Sequence, residues 1–554
     1  MLTVADWLQR LDGQDTETRK SLARMYGANQ SVVQDRVRLT RLVLTRFGER
    51  FGDAPVRVFR SPGRINLRGM HVDTHGGYIN LMTHQREVVI AAAPSEYDEV
   101  RIANCDDSFS EVTFRIGEFS SHTAFSGEWN SFILSPDVHN AVWTRRGHWG
   151  NYLQGCVLSA QHRFRDTPLR GMRAVVGSDL PRGAALSSSA ALSVALLKAV
   201  LGLNTRTLST DEAILAVRDA EWYAGSRIGV SDQAAMLLGG KDTLVNTALL
   251  ASRLDTSSAR RIPFPDALRI LVVNSYTERS LSGAQLVEYT RNRFAYSLAL
   301  DILRQEMRAD GLSGDAVSEM DCLAAITADA FASHGGVSVL YRLLRRVPLH
   351  ASLSELKRRY DLPAFDTAYA DFFGTVPVES RPEEIDLRGP LMFGIAESER
   401  ARLFPEALEQ RDFVRAGRLM STGHNGDRRI TGAGQPYRYD VSDAAMEHLA
   451  AEGAPIEWCP GVYGASSPVL DTLVDEALEA GALGACLTGA GIAGAVLALC
   501  HAEDAEGVAE AIRARMARPD YAKLTNREAP LTEAELSGAV VVNYATAGAG
   551  ELVL

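Results

Sequence analysis

Cysteine is scarce in these 554 residues: only Cys105, Cys156, Cys322, Cys459, Cys486 and Cys500, with no Cys-x-x-Cys pair. That spacing suits neither a disulfide framework nor a zinc site, and it predicts reduced, mostly buried thiols in a cytoplasmic protein. Long runs of Lys and Arg are also missing, and the formal net charge is -11. There is thus no basic stripe to hold nucleic acid, and no such partner is expected. The opening residues MLTVADWLQRLDG lack the basic-then-apolar layout of a signal peptide. One uncharged stretch, Leu483 to Cys500, approaches the length of a membrane span, but it contains Gly484, Gly489, Gly491 and Gly494. The glycines predict a loop entering a buried strand, and no membrane partner. No internal repeat, low-complexity tract or Gly-Lys-Ser/Thr phosphate loop occurs.

What is present is ordinary globular material, 46% hydrophobic and 23% charged, long enough for two lobes. Residues 1 to about 50 carry helical patterning and read as an N-terminal extension. Val56–Arg60 and Glu87–Ala93 have strand length and composition and bracket a Gly-rich segment. Trp149–Leu158 and Ala190–Leu201 read as helices, Ala174–Val176 and Ile270–Val273 as strands. Ser209 with Glu212 forms a capping box that starts a helix running through Glu221 to about Ala224. From about Ser297 to Leu391 the pattern is mostly amphipathic helix, with a second capping box at Ser352 and Glu355. Ser467–Ala480 is helical, and Gly494–Leu499 and Ala539–Val542 are strands. Strands and helices alternate without a βαβ rhythm, so the expected class is α+β with two lobes. Residues 51–260 form the first lobe and 261–554 the second, with a helical insertion at about 300–390.

Chemistry concentrates in Leu180-Pro-Arg-Gly-Ala-Ala-Leu-Ser-Ser-Ser-Ala-Ala-Leu192. A short strand enters this loop and an apolar helix leaves it. A triphosphate needs backbone N–H donors, small residues that allow close approach, and the positive end of a helix dipole. Gly183, Ala184 and the serines Ser187, Ser188 and Ser189 supply the first two, and the helix from about Ser188 supplies the third. A serine hydroxyl here also suits Mg²⁺, a hard cation that takes oxygen ligands. A small-residue helix start packed on a sheet would carry the same composition, so the loop alone does not decide between them.

The loop resembles the second motif of the GHMP kinase superfamily, with Ala185 where a glycine is typical. Ser61-Pro-Gly-Arg-Ile-Asn-Leu67 is similar to the first motif, and Leu487-Thr-Gly-Ala-Gly-Ile-Ala-Gly494 to the third, in the expected order. The resemblance is to the galactokinase branch: Gly69-Met-His-Val-Asp-Thr-His-Gly-Gly77 is similar to its Gly-Glu-His-x-Asp-x-x-Gly-Gly signature. Trp149–Gly155, Asn274–Leu281 and Gly417–His424 agree with it too. Mevalonate and homoserine kinases lack the Gly-x-His-x-Asp element.

This resemblance implies a ribosomal protein S5 domain 2-like first lobe and a ferredoxin-like second lobe, with the active site in the cleft between them. It implies ATP and Mg²⁺, a free sugar phosphorylated at its anomeric hydroxyl, and a monomer or homodimer. Asp232 is then the catalytic carboxylate and Arg64 its partner. Glu221 and Ser189 would hold the metal, although the eleven residues from Glu221 to Asp232 are one fewer than usual. Gly183, Ala184, Ser187, Ser188, Ser189, Gly489 and Gly491 would meet the nucleotide. Arg64, Met70, His71, Asp73, Gly229, Asp232 and Tyr289 would meet the sugar. Met70 stands where the branch has the glutamate that accepts a hydrogen bond from the C6 hydroxyl. This departure implies a sugar altered at C6: galacturonate, glucuronate, L-arabinose or a 6-deoxy sugar such as fucose. Galactose itself is the alternative. A sugar and ATP sensor without transfer is a further one, but the known route to it deletes part of the Ser-Ser-Ser-Ala run, intact here as Ser187 to Ala190.

Overall fold

The computed structural model describes the whole chain except Gln14, Arg182, Ala184, Ala185, Arg227, residues 278–283, Thr375 and Pro377, and the side chains of Ala284, Gln285, Leu286 and Tyr289. Its spine is β2 (Pro55–Arg68), which pairs antiparallel with β3 (Tyr78–Pro94). In both strands, and in the strand Met172–Ser178 that pairs with β3, neighbouring residues divide between two cores. Val58, Val89, Ala91 and Val175 face one cluster, whereas Phe59, Ile90, Ala92 and Val176 face another. Alternate side chains point to opposite faces of a strand, so a continuous apolar run marks a sheet covered on both sides. The helix Gln30–Phe51 covers the first face and Ser188–Leu203 packs on the second.

Around this pair runs a nine-stranded sheet. Beyond β3 come β6 (Met172–Ser178), then β4 (Glu99–Asn104) and β5 (Val112–Arg115). β7 (Thr243–Ala248) also pairs with β3 and carries β8 (Arg260–Pro263). The far edge of β2 takes β1 (Leu2–Thr3) and β15 (Gly550–Leu552), so residues from both ends of the sequence complete one sheet. The second sheet is antiparallel, in the order β12 (Gly484–Thr488), β13 (Ala495–His501), β9 (Leu268–Asn274) and β14 (Val540–Asn543). The uncharged stretch Leu483–Cys500 therefore forms a strand, a glycine turn and a strand. No helix among the described residues is long and apolar enough to cross a membrane.

A third body of side chains, built on the helices Ala284–Ala309, Val337–Arg346 and Arg388–Glu409, has its own core around Phe294, Leu340 and Leu391. Within it a short sheet joins β10 (His350–Ser352) to β11 (Glu384–Asp386), in a stretch whose pattern reads as mostly amphipathic helix. Three-residue strands leave almost no periodic trace in a sequence. At Ser352 the hydroxyl accepts a hydrogen bond from the Glu355 N–H, as its cap requires.

The N-terminal helices are locked to the spine by buried charge. Glu87, fully buried on β3, accepts hydrogen bonds from Arg60 and from the Tyr26 hydroxyl, while Arg36 lies 4.0 Å away and pairs with Asp179. Removing one member of such a pair leaves an uncompensated charge. Glu87→Ala is thus expected to lower unfolding free energy by about 3–5 kcal/mol, read from the midpoint of urea denaturation.

Candidate active site

Three residues of β2 reach the two loops of the site. A Cβ on Gly63 would press on Leu180 at 2.5 Å and on the Leu186 carbonyl at 3.1 Å, so only glycine lets the strand approach the serine loop this closely. The Arg64 N–H donates to the Leu186 carbonyl at 3.3 Å. Two residues on, the Asn66 N–H donates to Thr488 Oγ1 at 3.2 Å, and that hydroxyl returns a bond to the Asn66 carbonyl. Thr488 ends β12 immediately before the turn holding Gly489 and Gly491, whose φ values are +75° and +74°. One strand therefore links the serine loop to the glycine turn.

In the serine loop Gly183 is exposed with φ +73°, and a side chain there would meet open space. Ala184 lies outside the described residues. Ser187 caps the helix Ser188–Leu203 in a left-handed conformation, φ +57°, and its side chain makes no capping bond. It donates instead to Asp232 Oδ2 at 2.5 Å. The first-turn amides at Ser188 and Ser189 lie at the positive end of an apolar helix of 16 residues.

Asp232 sits in the first turn of the helix Ser231–Leu238, and its other oxygen accepts from Arg64 Nε at 2.7 Å. The Arg64 side chain is 8% exposed and that of Asp232 21%, so the pair is mostly desolvated but still reachable. Asp73 stands beside them: Ser231 Oγ donates to its Oδ2 at 2.8 Å, and a Cβ on Gly229 would lie 2.5 Å from that oxygen. Gly229 is what allows Asp73 to come this close.

Glu221, near the end of the capped helix Thr210–Tyr223, is fully buried. Burial pushes its pKa up to about 8; the Ser189 hydroxyl and Arg64 pull it down, while the charge on Asp232 adds to the rise. Neither of its oxygens meets a donor in hydrogen-bonding geometry among the described residues. A buried carboxylate without donors is costly, and this one neighbours a serine hydroxyl at the phosphate loop. Two oxygen donors of this kind fit a hard divalent cation.

Met70 and His71 are placed differently. Met70 is 1% exposed within the main apolar core. His71 has φ +63°, stacks on Tyr463 with ring centroids 4.3 Å apart, and brings Nε2 to 3.4 Å from Asp427 Oδ1. His71 faces Phe393, Asp427 and Tyr463, and the Met70 N–H meets Glu397 of the helix Arg388–Glu409, whereas Arg64, Asp73, Ser187, Gly229 and Asp232 gather at one point. Tyr289 falls on the helix Ala284–Ala309, and its side chain lies outside the described residues.

Sequence reasoning missed Ser231, Asp427, Tyr463 and Glu397. Glu397 accepts hydrogen bonds from the N–H groups of Gly69 and Met70 at 2.7 and 3.2 Å. Its one available signal was a run of charge, Glu397, Glu399, Arg400 and Arg402, directly after the apolar stretch Leu391–Ala396 of the same helix.

Known families match this chain in three places. The GHMP kinases N terminal domain matches residues 151–240, the galactokinase galactose-binding signature residues 45–94, and the GHMP kinases C terminal domain residues 444–518. A galactokinase of Chloroflexus aggregans is 28% identical over 83% of this chain and 88% of its own length. One from Pyrococcus furiosus is 25% identical over 82% and 91% respectively. The crystal structure of Lactococcus lactis galactokinase complexed with galactose superposes with a TM-score of 0.57 at 18% identity, covering 91% of this chain and 97% of that one. That likeness is one of fold.

Proposed function

Because the chain belongs to the GHMP kinase superfamily, we propose that it transfers the γ-phosphoryl group of ATP to the anomeric hydroxyl of a free monosaccharide. One observation carries the reading: Asp232 takes Arg64 on one oxygen and Ser187 on the other, at the start of a helix whose free amides suit phosphate. Asp232 is the only carboxylate bonded to that helix cap among the described residues.

In the reaction, the C1 hydroxyl oxygen bonds to the γ-phosphorus as the bond to the β,γ-bridging oxygen breaks. ADP departs, and the hydroxyl proton passes to Asp232. Arg64 orients Asp232 through its Nε donor and steadies charge on the transferring group. The amides of Ser188 and Ser189 cradle the phosphates, and the glycine turn at Gly489 and Gly491 closes over them. Glu221 and Ser189 would hold Mg²⁺, which supplies charge neutralisation to the phosphate oxygens when bound.

The sugar differs from galactose at C6. Support comes from the sequence position of Met70, an apolar thioether where the galactokinase signature carries a glutamate acceptor. A coupled ADP-release assay over galactose, galacturonate, glucuronate, L-arabinose and fucose tests both levels of the reading. A C6-altered sugar should exceed galactose at least tenfold in kcat/KM, and Met70→Glu should shift the ratio toward galactose by a similar factor. If galactose leads the panel, the C6 argument fails and the kinase stands. If no sugar releases ADP, the kinase reading itself fails.

A further inference from the structure

Beyond the phosphate loop and the Arg64–Asp232 pair, one buried carboxylate reaches the turn that follows β2. Glu397, fully buried in the helix Arg388–Glu409, uses its two oxygens differently. Oε1 accepts the Gly69 and Met70 N–H groups at 2.7 and 3.2 Å. Oε2 accepts Arg400 Nε at 2.7 Å and Arg68 Nη1 at 3.4 Å. Those amides lie just past the last ladder pair of β2, Arg68 with Asn80, so the sheet does not hold them.

The surroundings are shaped to this contact. Gly69 has φ +86°, and a Cβ there would collide with the Tyr78 carbonyl. A Cβ on Gly423, inside the helix Phe413–Asp427, would collide with the Arg68 guanidinium and lie 2.6 Å from Glu397 Oε2. Arg68 Nη1 also reaches the carbonyls of Leu419 and Met420, and its Nε donates to the Leu67 carbonyl. Burial alone would raise the Glu397 pKa, yet Arg68, Arg400 and the Gly69 N–H hold it below the ordinary glutamate value. A carboxylate kept ionised in a dry interior makes strong, directional bonds to backbone N–H groups.

Resting on the kinase reading above, we propose that Glu397 is a positioning residue for the sugar: its Oε1 pins the turn at Gly69 and Met70 to the helix Arg388–Glu409. The pinned turn stands between two working parts. Arg64 lies five residues before Gly69, and Asp73 four residues after it beside Ser231 and Asp232. With Oε1 withdrawn, the turn is free to shift, and Asp73 moves relative to Asp232. The phosphate loop is held by other contacts, from Gly63 and Arg64, and keeps its place.

The test compares Glu397→Gln with Arg400→Met, which takes a donor from Oε2 and none from Oε1, together with the Arg400 Nη1 bonds to the Glu457 and Cys459 carbonyls. With the sugar that the wild-type chain uses best, Glu397→Gln should raise the sugar KM at least tenfold and leave the ATP KM within threefold. Arg400→Met should lower the melting temperature yet leave the sugar KM within threefold. Equal effects of the two variants on sugar KM, or none from Glu397→Gln, overturn the proposal while the kinase reading stands. A wild-type chain inactive on every sugar overturns the kinase reading and the kinetic role together. Hydrogen–deuterium exchange of the wild-type chain supplies a measurement free of folding defects. The Gly69 and Met70 amides should be protected like strand amides, and loop-like exchange there overturns the pin.

Discussion

Asp232→Asn should lower kcat by about 10²–10⁴-fold while leaving the fold and the ATP KM nearly unchanged. The amide keeps the shape of the side chain, and its oxygen still accepts from Arg64 Nε, as Oδ1 does now. What it loses is the capacity to take a proton from the attacking hydroxyl. The amide NH₂ also faces the Ser187 hydroxyl, which must then accept where it now donates. A melting curve close to that of the wild type, beside the collapse in steady-state turnover, separates chemistry from stability. The size of the loss reports on mechanism. A loose phosphoryl-transfer transition state demands little base catalysis, so a loss under tenfold would mark Asp232 as a group that aims the hydroxyl rather than one that deprotonates it.

The second large effect concerns pH and Glu221. Its pKa stands at about 8 in the folded chain, with burial the main cause, against an ordinary glutamate value of 4.5. Between those values the folded state binds a proton that the unfolded state has released. Stability of the metal-free chain therefore falls as pH rises from about 4.5 to 8. Full expression of the shift corresponds to something on the order of 5 kcal/mol. Glu221→Gln should flatten that slope, because a neutral amide needs no proton. Mg²⁺ with a nucleotide should reverse it, since a cation favours the ionised carboxylate, and so stabilise the chain more at pH 8 than at pH 5. Melting temperatures taken over pH 4.5–8.5, with and without Mg²⁺ and nucleotide, check all three. A wild-type slope unchanged in Glu221→Gln would assign the pH dependence to other groups.

The parts of this molecule that the sequence displays are those set by local pattern. The paired apolar faces of Val58 and Phe59, or Val175 and Val176, are written in consecutive residues, and so is the Ser209–Glu212 box. The serine loop was legible as a helix start for the same reason. Its left-handed Ser187 was not, and neither was its bond to Asp232, a partner 45 residues away. Glu397 was hidden for a like cause: its partners Gly69 and Met70 lie more than 300 residues upstream. A sequence lists an acid in a helix without saying what it grips. His71 shows the same limit, since only the fold sets Tyr463 against its ring.

β15 adds one further consequence. Glu551 pairs with Phe59 across nearly the entire chain, and Arg57 closes on the Glu551 carboxylate beside it. A ribosome must therefore deliver the 494 residues from Arg57 to Glu551 before β15 can cover its part of the β2 edge. Until then the edge at Val58, Phe59 and Arg60 waits open during synthesis, a surface that chaperones recognise and that stray chains can zip onto.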